Sequence, residues 1–174
     1  MRQVQFQPPP QRRPDAPCPS CHGEQEDREA LVPGRALPKA IDRADRIERF
    51  LEARGVPVYR VEEVPAGHRD QFVPDGVAAM TVTVGDGRQA IILGSTATYG
   101  CLLHEAAHVL LRHAERYPHS SPRDRGAYLA DPAETEAEAT ARIVLGEAVD
   151  RDFSGVIDPD LVTEAVMALQ AVLS

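Results

Sequence analysis

The stretch that decides the fold reads LLHEAAHVLL and spans residues 102–111. Its two histidines, His104 and His108, are four residues apart, and on a helix this spacing places both side chains on one face. Two imidazoles arranged in this way can bind one metal ion at about 2 Å each, and the apolar residues around them are typical of a buried helix. Glu105 follows His104 directly and can take a proton from a metal-bound water molecule. We therefore predict a mononuclear zinc site on this helix.

A catalytic zinc needs a third protein ligand, and three carboxylates follow in ETEAE, residues 134–138. The preceding DPAE, residues 131–134, predicts a helix start in which Glu134 is the capping-box acid. Glu138 can pair with Arg142 at i,i+4, as an exposed helix acid commonly does. Glu136 lies on a flank nearer a packed face, so we expect it to be the ligand, with Glu134 and Glu138 as the alternatives.

Attack of a metal-bound water molecule on a carbonyl group would also need a donor that stabilises the oxyanion. Tyr128 is our candidate from the segment beyond the motif, and His113 and His119 are further ones. Each has a simpler interpretation, Tyr128 as an aromatic at the edge of the core and the two histidines as surface residues.

The order of the predicted elements indicates one α+β domain over residues 37–174. We expect a small antiparallel sheet to pack on the helix of the LLHEAAHVLL stretch, with further helices after it. The first helix has an apolar stripe and a cap at Gly55, and the last one opens at Asp158. The predicted bounds are a helix from Pro38, strands at 56–61, 77–84 and 89–93, a glycine turn at 85–87, helices at about 96–116, 131–149 and from 158, and loops at 65–76 and 118–130.

Composition excludes several classes of protein. The formal net charge of -8 does not suit a duplex-DNA binder, which usually presents a basic face. The first residues lead into prolines rather than an apolar signal region, and no apolar run approaches the roughly 20 residues that span a bilayer. We expect a cytoplasmic protein with no membrane contact and no clear nucleic-acid binding.

Residues 1–36 are rich in proline and charge, and we predict that this tail is disordered. Cys18 and Cys21 have the Cys-x-x-Cys spacing of half a zinc ribbon, but even with His22 the four ligands of a structural site are not reached. Cys101, three residues before His104, is predicted to be a small core residue.

The two motifs together resemble the ImmA/IrrE family of zinc metallopeptidases, in which an HExxH helix is followed by Glu-x-Glu-Ala-x-x-Phe-Ala. The second motif here is Glu134-x-Glu136-Ala137-x-x-x-Ala141, with Thr140 at the position of the family's Phe, so the packing of that helix is expected to differ. The chain is also similar to the peptidase-like domain of ArdC-type antirestriction proteins, where the second motif reads Glu-Ala-Glu-Ser-Val-Ala. The match covers about residues 77–150.

The resemblance implies a zincin-like minimal metallopeptidase domain in which His104, His108 and Glu136 bind Zn²⁺ and Glu105 is the general base. The implied activity is hydrolysis of peptide bonds in a protein partner such as a regulator. The alternative is a catalytically silent binding or regulatory protein on a zincin scaffold, antirestriction-like and associated with a mobile element. The intact Glu105 favours the enzyme, because a silent scaffold does not need the base.

Overall fold

The computed structural model describes residues 38–66, 77–83, 87–118 and 124–174. These ranges form a mixed α+β structure with a small sheet and several helices, in agreement with the predicted class. The elements in chain order are α1 (Pro38–Glu52), β1 (Val58–Arg60), β2 (Ala79–Thr83), β3 (Gln89–Leu93), α2 (Tyr99–Leu110), α3 (His113–Arg116), α4 (Arg125–Ala130), α5 (Pro132–Leu145) and α6 (Pro159–Leu173).

The three described strands form one sheet in the order β1-β3-β2. β2 pairs antiparallel with β3, from Ala79 opposite Leu93 to Thr83 opposite Gln89. β1 pairs parallel with the other side of β3, so the prediction of a wholly antiparallel sheet is wrong. The physical reason is that residues 61–88 connect β1 to β3, and only a connection of about a dozen residues or more lets two strands run in parallel. The apolar pattern of β1 carries no information on its direction.

The predicted apolar stripe of α1 consists of Ile41, Ala44, Ile47 and Leu51. Ala44, Ile47 and Leu51 are buried as predicted, whereas Ile41 is 46% exposed. The turn after the helix is closed by Gly55, whose φ of +79° is left-handed and suits the predicted cap.

Helix α2 is shorter than predicted. The Thr98 side chain accepts a hydrogen bond from Cys101 N and so caps the start, and the helix ends at Leu110. Arg112 then takes a left-handed φ of +56°, and the four residues of α3 follow in a new direction. The prediction of one helix to residue 116 is wrong because nothing in the residue types marks this break.

The helices after α3 begin at aspartates whose side chains cap the first turn. The Asp131 side chain accepts from Ala133 N and Glu134 N, and α5 ends at Gly146, which has a φ of +75°. Asp158 caps α6 in the same way. One predicted loop, 118–130, is wrong in its second half, since the Asp124 side chain caps the short helix α4.

α2 lies in the middle of the structure, between the sheet and α5. Its residues Leu102, Leu103 and Ala106 are fully buried with Ile91 and Leu93 of β3. On another side of α2, an apolar cluster joins it to α5 and α6; its members are Ala107, Leu111, Ala137 and Ala165. Alanines at these contacts let the helices approach closely, which sets α5 directly against the metal motif.

Several predictions fall outside the described residues: the tail 1–36 with Cys18, Cys21 and His22, most of the loop 65–76, Gly85 and Asp86 of the turn, and His119. The single domain over 37–174 therefore stays a prediction. Cys101 is buried, as predicted. Among the described helices, none combines the length and the apolar character needed to cross a bilayer.

Gly155 supplies a test of how the segment between α5 and α6 is held. A Cβ at this position would lie 2.4 Å from Thr135 Oγ1 and 2.7 Å from Asp131 O. Because backbone atoms cannot yield as a flexible side chain does, we expect Gly155→Ala to lower the free energy of unfolding by about 2 kcal/mol. Urea denaturation measures this change.

Gly100→Ala is the matched control, since its Cβ would meet Leu145 Cδ1 at an ordinary 3.6 Å. It should leave the free energy of unfolding unchanged or slightly raised. Equal values for the two variants would contradict the close packing of Gly155.

Candidate metal centre

His104 and His108 turn the same ring nitrogen, Nε2, toward a single carboxylate, that of Glu134. The two Nε2 atoms are 3.1 Å apart. Glu134 Oε2 lies 3.2 Å from His104 Nε2 and 3.4 Å from His108 Nε2. His104 and Glu134 are almost fully buried, and the His108 side chain is 13% exposed. The cluster is therefore closed on the His104 side and more open at His108.

These three side chains can together hold a metal ion. Ligand atoms bound at about 2.0–2.1 Å to a tetrahedral zinc lie about 3.3 Å from one another. The three separations in the cluster, 3.1, 3.2 and 3.4 Å, match the edges of one face of such a tetrahedron. The donor set and its spacing thus fit a zinc ion with one position left for water or substrate.

The predicted capping-box role of Glu134 is wrong, because its carboxylate turns toward the two histidines. Burial raises the pKa of Glu134, but the neighbouring His108 and His104 outweigh this and lower the pKa well below its usual range. A buried charged carboxylate needs a partner of opposite charge or a metal ion. The Glu134 carboxylate contacts two imidazole rings. These rings compensate its negative charge only if they are protonated or if they bind a cation together with it.

Glu136, which we expected to be the third ligand, has other partners. Its carboxylate accepts from both Nη atoms of Arg116, at 2.7 and 3.0 Å, and from Asp158 N at 2.9 Å. Burial raises the pKa of Glu136, yet these contacts, led by Arg116, lower it overall. The geometry therefore favours Glu134 over Glu136 as the ligand.

A helical periodicity explains this difference and was available in the sequence. Glu134 and Glu138 are four residues apart and share one face of α5, just as the two histidines share one face of α2. Glu136 is two residues from either and lies about 200° round the helix, on nearly the opposite face. Matching the two i,i+4 pairs would have excluded Glu136 and left Glu134 and Glu138.

Glu138 pairs with Arg142 as predicted, at 2.7 Å from Arg142 Nε, but Glu138 is fully buried rather than exposed, and the Arg142 side chain is 12% exposed. The other carboxylate oxygen of Glu138 lies 3.5 Å from His104 Nδ1. Burial raises the pKa of Glu138, while His104 and Arg142 lower it, and the pKa falls to about 2. An ionised carboxylate behind Nδ1 of a ligand histidine keeps the proton on Nδ1 and leaves Nε2 free to bind a metal.

His113 joins the cluster through the break after α2. On a continuous helix, position 113 would lie about 140° round from His108 and could not face it. The left-handed Arg112 changes the direction of the chain, and His113 Nδ1 comes within 2.8 Å of His108 Nδ1. His113 Nε2 contacts Glu136 Oε2 at 2.9 Å, so both ring nitrogens are engaged, which argues against an oxyanion role for His113. The interpretation of His113 as a surface residue is wrong, because it is buried. Burial, followed by the charge of His108, lowers the pKa of His113 to about 4.

Glu105, the predicted general base, is a buried residue of α2 that lies against β2. Its Oε2 accepts a hydrogen bond of 2.8 Å from the Thr81 hydroxyl, which lies 3.3 Å from the backbone oxygen of Glu105. Thr81 therefore holds the carboxylate of Glu105 in one orientation, a contact between a strand and α2 that the motif alone does not indicate.

Tyr128, the other predicted oxyanion donor, is a buried residue of α4 whose ring packs edge-on against Phe153 at 5.8 Å. This packing agrees with the simpler interpretation of Tyr128 as an aromatic at the edge of the core. The oxyanion role of Tyr128 stays a prediction.

Comparison of the chain with protein-family models, with curated proteins and with solved structures finds no match in any of the three. The interpretation of the site therefore depends on its own geometry.

The buried Glu138–Arg142 pair makes a prediction about stability. Arg142→Met keeps most of the apolar stem but removes the charge, and the carboxylate of Glu138 is left buried without it. We expect the free energy of unfolding to fall by about 3–5 kcal/mol, as when one partner of a buried ion pair is removed. Chemical denaturation of the metal-free protein measures the loss.

The matched control is Arg46→Met in α1, because Arg46 and Asp42 form an i,i+4 pair of 3.2 Å that is largely exposed. This variant should lose less than about 1 kcal/mol. Similar losses for both variants would show that burial of the Glu138 pair has no energetic consequence.

Proposed function

We propose that this protein is a zinc-dependent metalloendopeptidase. The observation that carries the proposal is the triangle formed by His104 Nε2, His108 Nε2 and Glu134 Oε2, with separations of 3.1–3.4 Å. Glu105, next to His104 on the same helix, is the acid that peptide hydrolysis requires. The two ligand histidines are those expected from the sequence, and Glu134 replaces Glu136 as the proposed third ligand.

Zinc is the metal that this donor set suits best. Two imidazole nitrogens and one carboxylate oxygen are the ligands of catalytic zinc sites in which a fourth position stays open. Zinc held there would supply a polarised carbonyl and a water molecule whose pKa is near 7. The partial exposure of His108 supports an opening on that side of the site.

The chemistry of the chain's own residues follows from how each is held. Glu105 accepts the proton of the attacking water and passes it to the nitrogen of the leaving amine. The Thr81 hydroxyl already donates to Glu105 Oε2, so we assign the proton transfer to Oε1. Each peptide bond broken thus consumes one water and yields one carboxyl and one amino terminus.

The resemblance of the two motifs to the ImmA/IrrE metallopeptidases supports the same reaction, with a protein or peptide as the substrate. The zincin scaffold and the cytoplasmic location belong to this proposal as well. The catalytically silent scaffold is the competing proposal, and it differs from the enzyme in one measurable respect, namely turnover.

The ligand set makes the first prediction of this proposal. Purified protein should bind one zinc per chain, and His104→Ala, His108→Ala and Glu134→Gln should lose stoichiometric zinc after dialysis, because each removes a donor atom. Glu136→Gln should keep one zinc per chain at micromolar protein, since Glu136 is held by Arg116 and His113. Metal analysis by mass spectrometry gives the stoichiometry.

Glu134→Gln and Glu136→Gln are chemically identical changes two residues apart on α5, so each is the control for the other. Loss of zinc in Glu136→Gln with retention in Glu134→Gln would return the ligand role to Glu136. Wild-type protein without zinc-binding capacity would overturn the metal site altogether.

The second prediction concerns the general base. Glu105→Gln should retain zinc but cleave peptides about 10²–10⁴-fold more slowly, the usual effect of removing a general base. Thr81→Val, which preserves shape and removes only the hydrogen bond to Glu105, should show a smaller loss. Cleavage of a mixed peptide pool by the zinc-loaded protein, followed by mass spectrometry, measures both.

Undiminished cleavage by Glu105→Gln would contradict the general-base role. Zinc-loaded wild-type protein that cleaves no peptide or protein substrate would instead favour the silent scaffold.

A further inference from the structure

His108 lies at one end of a chain of hydrogen bonds that leads away from the metal centre to the surface. His108 Nδ1 is 2.8 Å from His113 Nδ1, and His113 Nε2 is 2.9 Å from Glu136 Oε2. Glu136 is then held by Arg116, which also contacts the Tyr117 hydroxyl at 3.2 Å. We define His108, His113, Glu136 and Arg116 as the relay.

The relay has a direction because its members differ in what they can donate. An ionised carboxylate can only accept, and Glu136 is already surrounded by donors from Arg116 and from Asp158 N. His113 Nε2 must therefore donate to Glu136. A neutral imidazole carries one proton, so His113 Nδ1 is left as an acceptor, and His108 Nδ1 must donate to it.

The direction of these hydrogen bonds determines which ring nitrogen of His108 is available to a metal. With its proton on Nδ1, a neutral His108 presents the lone pair of Nε2, and this is the atom 3.1 Å from His104 Nε2 and 3.4 Å from Glu134 Oε2. Ligand histidines in metal sites commonly have one partner behind the ring that fixes tautomer and orientation. Here a second histidine stands between the ligand and the carboxylate.

We propose that His113 and Glu136 are positioning residues that hold His108 in the Nδ1–H tautomer with Nε2 directed at the metal, and so raise the affinity of the site for zinc. The proposal rests on the proposed metal site and adds two residues that bind neither metal nor substrate. It also assigns a role to Glu136, which the geometry does not favour as a metal ligand. The left-handed backbone at Arg112 is what brings His113 against His108.

Zinc affinity, measured by competition with a chromophoric chelator, tests the relay. His113→Leu and Glu136→Gln should each weaken zinc binding about 10–100-fold, the usual effect of removing a partner behind a ligand. Because both act through the same chain, the double variant should be no weaker than the weaker single variant. His113→Gln, whose amide carries one acceptor and donors, should recover part of the affinity.

Glu115→Gln is the control, since Glu115 lies on the same short helix as His113 but is 71% exposed. Its zinc affinity should equal that of the wild type. Wild-type affinity in both His113→Leu and Glu136→Gln would overturn the relay while leaving the metal site intact. If the wild type binds no zinc and His104→Ala changes nothing, the proposed function fails, and the relay fails with it.

Nitrogen NMR on the unsubstituted protein decides the question even if a variant does not fold. In the metal-free, ¹⁵N-labelled wild type, where no zinc on Nε2 dictates the tautomer, we expect a proton on His108 Nδ1, none on His113 Nδ1, and a scalar coupling between these two nitrogens across the hydrogen bond. A merely structural contact has no reason to fix that pattern. A proton on His113 Nδ1, or no coupling between the two nitrogens, would overturn the proposal.

Discussion

Two histidines of α2 and three glutamates of α5 lie at or near the place where these two helices pack together. The stability of this packing depends on how the negative charge of each buried carboxylate is compensated. Glu134, Glu136 and Glu138 are each almost fully buried. An ionised carboxylate taken out of water without a partner is destabilised by several kcal/mol. Glu136 and Glu138 are compensated by an arginine each, Arg116 and Arg142. Glu134 instead contacts imidazole nitrogens, and a cation shared among these three side chains is the compensation that its position favours.

This distribution of charge assigns a different role to each of the three acids. Glu134 contacts the Nε2 atoms of His104 and His108, Glu138 lies behind His104, and Glu136 lies behind His108 with His113 between them. Burial raises the pKa of Glu136 and of Glu138, and the contacts with Arg116 and Arg142 contribute to lowering it. Glu136 contacts His113 at 2.9 Å, and Glu138 Oε2 lies 3.5 Å from His104 Nδ1. In the proposed metal site both carboxylates would orient the ligand histidines.

The part of this arrangement that the sequence predicts is the part that depends on local spacing. The HEAAH motif gives the two histidines and Glu105, and the caps at Asp131 and Asp158 give the helix starts. Tertiary packing sets three features that residue patterns do not record: the parallel direction of β1, the break at Arg112 and the contact between Thr81 and Glu105. The choice among the three acids lies between these cases. We weighed each acid by its neighbours in the sequence, whereas the shared helical face of Glu134 and Glu138 would have excluded Glu136. Only the contacts in the structure separate Glu134 from Glu138.

We propose that Glu134 completes a zinc site with the two histidines, while Glu136 and Glu138 support the site from behind. A crystal structure of the zinc-loaded protein, with diffraction recorded on both sides of the zinc absorption edge, tests this ligand set. We expect one anomalous peak within about 2.0–2.2 Å of His104 Nε2, His108 Nε2 and a Glu134 oxygen, with Glu136 still bound to Arg116. A peak coordinated by Glu136 in place of Glu134, or no peak between the histidines, would contradict it.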